Sequence, residues 1–386
     1  MARIVISGYL VRHPIGGYAW QAAHYLLGAR ALGHDVWFYE DTSLYARAYD
    51  PTSNDYGPRY DYGLQAASAF LTRLGLGERW VFAEIDAGHE HGPAAGRARA
   101  LLRDADLVVN LAGINRITAD VRSGRPQVYV DADPAFTQIT AASGAAVLRA
   151  MLDEQTALFT YGENIGTPRS SVPDAGYRWY PTRPPVTMAL WEGTQPARQV
   201  YTTVGRWNET QRDLVYAGET FRWCKRTEWL RCLDLPARTG AAFEIAMDVD
   251  SVPGDLALVS SHGWQIADPR IISGDPWGYR DYIRDSRGEF TVAKELNVRL
   301  RSGWFSDRAA CYLAAGRPVV EQDTGFGDVL PGGPGLHAFR TVADAAAAIA
   351  EIERDWNRAA AHASSVAREY FAAERVVGDL LRVVGL

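Results

Sequence analysis

Short apolar runs rich in β-branched residues alternate with amphipathic stretches along most of the chain. Arg3–Ser7 (RIVIS) predicts a buried strand. The stretch 18–32 sets Ala22, Leu26, Ala29 and Leu32 on one face and predicts a helix closed by Gly33. Further strands are predicted over residues 36–40, 81–84, 107–111, 126–130 and 157–161, with helices over 64–74, 94–103 and 145–154. These strands are continuously apolar, which predicts a parallel sheet covered on both faces. Residues 166–199 break the rhythm with Pro168, Pro173, Pro181, Pro184, Pro185 and Pro196, a candidate joint. The alternation then resumes. Strands are predicted over 200–205, 243–247, 256–260, 290–293 and 318–321, and helices over 219–232, 279–285 and 307–315. An Ala-rich helical tail ends the chain, and no repeat of ~20–50 residues is present. The pattern predicts an α/β protein of two parallel-sheet domains, 1–190 and 199–365, with 366–386 returning to pack on the first.

Composition narrows the function classes. A chain of 386 residues and 42.5 kDa suits two domains of ~100–200 residues each. Hydrophobic residues at 47% and charged residues at 22% exclude wholesale disorder. Net charge −6, pI ≈ 5.8 and no basic block predict no nucleic-acid partner. Three cysteines form no disulfide framework, and no CxxC pair suggests structural zinc. MARIVISGYLV reads as a first strand rather than a signal peptide, and no apolar run approaches the ~18–20 residues of a membrane span. A soluble cytoplasmic protein is expected. Only Lys225 and Lys294 are lysine among 40 Lys+Arg, a bias of the kind bacterial codon composition produces. The two are chance survivors or hold a role that arginine's fork does not fit.

Three segments carry candidate chemistry. The first strand–helix turn, 7–17, places Gly16 and Gly17 at a helix start, where backbone N–H groups can approach an anion. It is not GxGxxG, and an ordinary glycine turn is the alternative. His13 shares this loop, at a strand's carboxyl end where ligands gather in α/β sheets. Asp131 and Asp133 end another strand. Their DxD spacing recurs at Asp104–Asp106 and Asp248–Asp250, so action on substrate or ordering of the loop is preferred to metal binding. His89-Glu90-His91 has no third ligand nearby and reads as surface loop, so no metal is expected. The densest segment runs from Lys294 through Gly303, Ser306, Asp307 and Arg308 to Thr324 and Gly325. Ser306 or Asp307 would cap a helix, and Gly303 would let a diphosphate approach its start.

Gly303-Trp304-Phe305-Ser306, followed by 311–320 (CYLAAGRPVV), resembles the late motif of the GT-B glycosyltransferases, the group 1 and glycogen-synthase-like families. The loop 260–264 (SSHGW) resembles their loop beside the nucleobase, and Gly16-Gly17 with 24–40 resembles their glycine loop and L-x-x-x-G-H-x-V pattern. The resemblance spans nearly the whole chain. It departs at the family's E-x7-E glutamates, which fall on Gly303 and Cys311, leaving Asp307 and Arg308 as the nearest charged replacements.

The resemblance implies two Rossmann-like domains facing across a cleft. It also implies transfer of sugar from a nucleotide-diphosphate sugar, without metal or further cofactor, to a small-molecule or glycan acceptor. A nucleotide-sugar epimerase of the same fold and a two-lobed binding protein are the alternatives. Donor contacts are expected from Gly16, Gly17, Arg206, Lys225, Gly263, Trp264, Lys294, Gly303, Ser306, Asp307, Arg308, Thr324 and Gly325. Lys225 corresponds to a helix where relatives commonly carry a phosphate-binding lysine. His13, Asp131 and Asp133 are the catalytic candidates, His13 first on its intrinsic pKa. The aromatic loops at 45–62 and 179–191 would stack on substrate rings or pack the joint.

Overall fold

A computed structural model of the chain describes residues 1–193 and 195–386. Its first sheet has eight strands in the spatial order Trp179–Pro181, Ala157–Thr160, Gln127–Asp131, Leu107–Leu111, Arg3–Ser7, Asp35–Asp41, Trp80–Glu84 and His89–His91. All neighbours are parallel except the last pair. The second sheet has six parallel strands: Gln265–Ala267, Ala242–Ala246, Val200–Val204, Gly288–Thr291, Val319–Gln322 and Leu336–Phe339. Ile4, Val5 and Ile6 are all fully buried although they point to alternate faces, the signature of a sheet covered on both sides.

The two sheets are not independent bodies joined by a string. One hydrophobic cluster runs from Ile4 and Trp20 through Tyr279 and Cys311 to Leu380. The Gly16–Ala31 helix is its keystone. At its start Trp20 Nε1 donates to Pro276 O at 2.6 Å, reaching the second half. At its end a Cβ on Gly28 would lie 2.9 Å from Ala373 O, so the Ala373–Val383 helix packs directly on its backbone. Trp191, wholly buried, donates Nε1–H to His24 Nε2 of the same helix at 3.0 Å, so this part of the joint is core.

Two expected elements differ. Residues 256–260 form a helix, Asp255–Ser261, not a strand, because a short apolar run fits either until tertiary packing decides. The single helix expected over 219–232 is a hairpin, Leu214–Tyr216 with Glu219–Phe221, followed by the short Arg226–Leu230 helix. Ala217 (φ 51) and Gly218 (φ 80) make its tight turn, both in the left-handed region that such a two-residue hairpin demands. Among the described residues no helix is long and apolar enough to cross a membrane.

Candidate functional site

The carboxyl ends of the central strands in both sheets face the space between the halves. On the first-half wall the loop after Arg3–Ser7 is held from beneath by Glu40. This wholly buried carboxylate accepts the backbone N–H groups of Leu10 and Val11 at 2.7 Å and of Arg12 at 2.9 Å, and Arg12 Nε at 3.0 Å. The rest of the Arg12 guanidinium donates to Tyr45 O, Ile114 O and Asn115 Oδ1. The loop's amides therefore serve the protein's own carboxylate. Gly16 is consumed as well, since a Cβ there would lie 2.5 Å from Tyr279 Cβ of the other half. Gly17 is different. It lines a narrow cavity between the halves together with Gln21, Tyr161, Tyr279, Asp307 and Arg308.

His13 is half-buried in a cluster of rings, 4.7 Å from Tyr9, 5.4 Å from Tyr56 and 5.7 Å from Tyr18 between centroids. Burial first, then the Arg12 and Arg206 charges, lower its pKa from 6.5 to about 4. The expectation that His13 keeps a near-neutral intrinsic pKa is corrected by this setting. Its ring is uncharged at neutral pH and weakly basic. Arg206, beyond the end of Val200–Val204, reaches across from the second half and donates to Tyr56 Oη at 3.5 Å.

Asp131 and Asp133, one residue apart, differ in setting. Asp131 is wholly buried, and its oxygens accept Thr137 Oγ1 at 2.7 Å, Gln138 Nε2 at 2.8 Å and Thr160 Oγ1 at 2.9 Å. Burial raises its pKa to about 6, against those hydrogen bonds. Asp133 faces the second half. Lys294 Nζ donates to its Oδ1 at 2.9 Å, and Arg212 Nη2 lies 3.9 Å from Oδ2. Burial pushes the Asp133 pKa up, but Lys294 and Arg212 outweigh it and hold it below the ordinary value. Both cations sit on the Trp223 ring, Lys294 Nζ 3.1 Å and Arg212 Cζ 4.0 Å from its centroid.

A second buried charged group lies under the start of the Asp307–Ala314 helix. Ser306 precedes that helix and is buried, without a side-chain cap bond. Arg308 donates Nε–H to Glu289 Oε1 at 2.5 Å, Nη1–H to Val204 O at 2.6 Å and Nη2–H to Thr291 Oγ1 at 2.9 Å. Lys225, just before Arg226–Leu230, is buried with Nζ 5.5 Å from the Trp304 ring centroid. Burial first, then Arg308, push its pKa down. Glu321, in the neighbouring strand, is wholly buried, and burial pushes its pKa up.

Several expected contacts are used elsewhere. Gly263 and Trp264 precede the Gln265–Ala267 strand and so lie at the amino edge of the sheet, away from the cleft. Gly263 is on the surface, and Trp264 is core, packing on Trp229 and Phe243 and donating to Leu233 O. Gly303 (φ +79) would place a Cβ 2.7 Å from Asn164 N, and one on Gly325 would lie 2.7 Å from Asn164 Nδ2. Both glycines make room for Asn164, which donates N–H to Ser302 O at 3.0 Å and Nδ2–H to Gly325 O at 3.1 Å. Thr324 Oγ1 donates to Trp304 O. These residues fasten the halves together beside the cleft.

Sequence reading missed Glu289, Glu321, Arg212 and Trp223. The two glutamates left a signal: each is a carboxylate inside a short strand whose residues are all buried, GEFT and VVEQ. Arg212 and Trp223 left none: residues 206–218 carry no periodic pattern, and Trp223 falls in the helix expected over 219–232.

No family model and no curated protein matches the chain. Solved structures match it over its full length. One is an alpha-glucosyltransferase in complex with UDP and a 13-mer DNA containing an HMU base, at TM-score 0.63 and 10% identity, covering 100% of both chains. Another is an alpha-glucosyltransferase in complex with UDP-glucose and DNA containing an abasic site, at TM-score 0.59 and 10% identity, covering 100% of this chain and 99% of that one. A third is Anabaena HepE in complex with UDP and glucose, at TM-score 0.56 and 11% identity, with the same coverage.

The fold is that of the GT-B glycosyltransferases. The expectation of no nucleic-acid partner is overturned by the same findings, because proteins of this fold are seen in complex with DNA. Net charge sums the whole surface, whereas a nucleic acid meets only the face it touches.

Proposed function

We propose that the chain is a glycosyltransferase that takes its sugar from a nucleotide-diphosphate sugar, with UDP-glucose the first donor to try. The observation that carries the reading is the convergence of Lys225, Lys294 and Arg308 near the start of the Asp307–Ala314 helix, with Arg206 reaching across beside His13. They gather at the carboxyl ends of the second sheet and opposite the Gly17 wall. A diphosphate would meet cations and a helix N-terminus there, and the leaving nucleotide's growing charge would be met in the same way. The matched solved structures hold UDP or UDP-glucose, which supports the choice of donor.

In this reading residues 1–190 hold the acceptor, 199–365 hold the donor, and 366–386 tie the two together. Asp133 is the carboxylate that meets substrate, because of the two first-half carboxylates it is the one paired across the cleft with Lys294 and Arg212. His13, uncharged, accepts a hydrogen bond from the acceptor, and Asp131 orders the loop that carries Asp133. Phosphate charge is met by side chains, and turnover is expected to persist in excess chelator.

The test is a thermal-shift and turnover series with UDP and UDP-glucose. A ligand at ~100 times its dissociation constant adds about 2.7 kcal/mol, well within detection. Stabilisation by UDP together with slow release of glucose from UDP-glucose is expected. Absence of both, with other nucleoside diphosphates equally inert, would sink the reading.

A further inference from the structure

The Glu321 carboxylate has no evident structural employment. It stands on Val319–Gln322, paired in register with Thr291 of the neighbouring strand, and is wholly buried. Neither of its oxygens completes a hydrogen bond among the described residues, although the Ser306 N–H lies near enough to favour its ionised form slightly. Glu289 beside it gives one oxygen to Arg308 and leaves Oε2 without a partner. Lys225 Nζ makes no hydrogen bond either, its ring contact with Trp304 apart. An orphaned buried carboxylate costs several kcal/mol if ionised. A fold keeps one only where something else in its working cycle needs it.

The charged groups around Glu321 can be named element by element. Glu289 comes from the adjacent strand, Arg308 from the overlying helix and Lys225 from the segment leading into Arg226–Leu230. Beyond these, Lys294 acts on Lys225, and Asp307 lies near both Lys225 and Arg308. Glu228 is occupied by Arg231 and Gln322. With both glutamates and both cations ionised the inner group is neutral overall. A diphosphate would then arrive beside two carboxylates that repel it.

We propose that Glu321 is a proton-holding partner of Lys225, so that the donor's diphosphate binds only with uptake of a proton from solvent by this pair. The inference rests on the donor reading above. Bound diphosphate demands an ammonium on Lys225 and a neutral carboxyl on Glu321, the one carboxylate of the cluster with neither oxygen hydrogen-bonded among the described residues, whereas Asp307 accepts the Arg308 N–H at 2.8 Å. Glu289 differs in that its Oε1 accepts Arg308 Nε at 2.5 Å and Thr203 Oγ1 at 3.0 Å. In the empty site burial disfavours both charges, raising the Glu321 pKa and lowering that of Lys225, so one proton is short. Release of the product nucleotide returns the proton to solvent.

Calorimetric titration of the full chain with UDP, in buffers of different ionisation enthalpy, reads the proton count directly. At pH 8 the wild type should take up a substantial fraction of a proton, at most about one, with uptake fading at pH 6 as the pair is already protonated. Where the uptake is complete, affinity should fall about tenfold per pH unit. Glu321→Gln carries its hydrogen permanently and should bind UDP at pH 8 at least as tightly, with smaller uptake. Binding of UDP with no uptake by the wild type at pH 8 would overturn the proposal, as would equal uptake in Glu321→Gln. Should that variant fail to fold, the wild-type counts at pH 6 and pH 8 decide alone. No binding of any nucleoside diphosphate would instead remove the donor reading on which it rests.

Discussion

Each half of the molecule buries an arginine–glutamate pair against its sheet, and the two pairs are finished differently. In the first half Glu40 accepts four hydrogen bonds, and Arg12 fills the rest of its fork with two carbonyls and an amide oxygen. In the second half Arg308 is equally well used, but among the described residues Glu289 Oε2 and both oxygens of Glu321 are left over, and Lys225 has no acceptor. Satisfied buried charge fixes a shape. Unsatisfied buried charge beside the cleft is charge a ligand can complete, which is why we propose the donor for the second half. The first half supplies the facing wall, with Asp133 on it.

The comparison breaks most visibly at Glu40. Glu40→Ala strips Arg12 of its counter-ion and leaves three backbone N–H groups of the loop without their acceptor. Breaking a buried pair in this way costs ~3–5 kcal/mol, to be read from urea unfolding. A loss below ~1 kcal/mol would mean that the loop is held by something else.

Lys225→Met should do the reverse. It removes a buried ammonium that no hydrogen bond compensates, so stability should hold or rise slightly, while UDP affinity falls at least about tenfold, or ~1.4 kcal/mol. A variant that loses stability and keeps its affinity would place Lys225 with the structural charges of the first half and end the contrast.

Gly303→Ala separates two readings of one glycine. If the residue makes room for Asn164, as its φ of +79 and the 2.7 Å approach indicate, alanine costs stability, ~1–3 kcal/mol from strain at such a position. If it made room for phosphate, stability would be kept and UDP binding lost. The first outcome is expected.

The fold was legible because it is written in local pattern. Runs such as RIVIS and LVVNL, glycine caps and the proline-dense joint each report on their own neighbourhood. The site was legible only in part. Lys225, Arg308, Lys294 and Asp133 sit at element ends, where motif spacing could reach them. Glycine is ambiguous in sequence because it serves a bound phosphate and a packed side chain by the same means, having no Cβ. Only the partner at Gly16, Gly303 and Gly325 shows which. The helix expected over 219–232 differed for another reason: Ala217-Gly218 turns the chain back as a hairpin, so Glu219–Phe221 is a strand, and Arg212 and Trp223 come against Asp133 and Lys294. The missing E-x7-E acids have no substitute in register. Of the buried acids of the cluster, Glu321 directly follows the motif's last valine, and Glu289 stands on the adjacent strand.

The smallest effect expected concerns His13 and pH. Its pKa falls from 6.5 in the unfolded chain to about 4 in the folded one, because burial and then Arg12 and Arg206 disfavour the imidazolium. Between those values the unfolded chain binds a proton that the folded chain refuses. Its contribution to stability is therefore complete above ~6.5 and is lost as pH falls toward 4. His24, lowered to about 3 by burial, adds a parallel loss, so the His13 share must be read by difference. His13→Asn should unfold less steeply than wild type across that window and match its slope above pH 7. The same value sharpens the catalytic assignment. If His13 accepts the acceptor's proton, the acid limb of kcat/KM lies near pH 4 and vanishes in His13→Asn, whereas a limb near 6 that survives the substitution points to Asp131, whose burial raises it to about 6. Since Asp133 lies below the ordinary carboxylate range beside Lys294 and Arg212, a rate flat from pH 5 upward would leave Asp133 as the first-half carboxylate that acts.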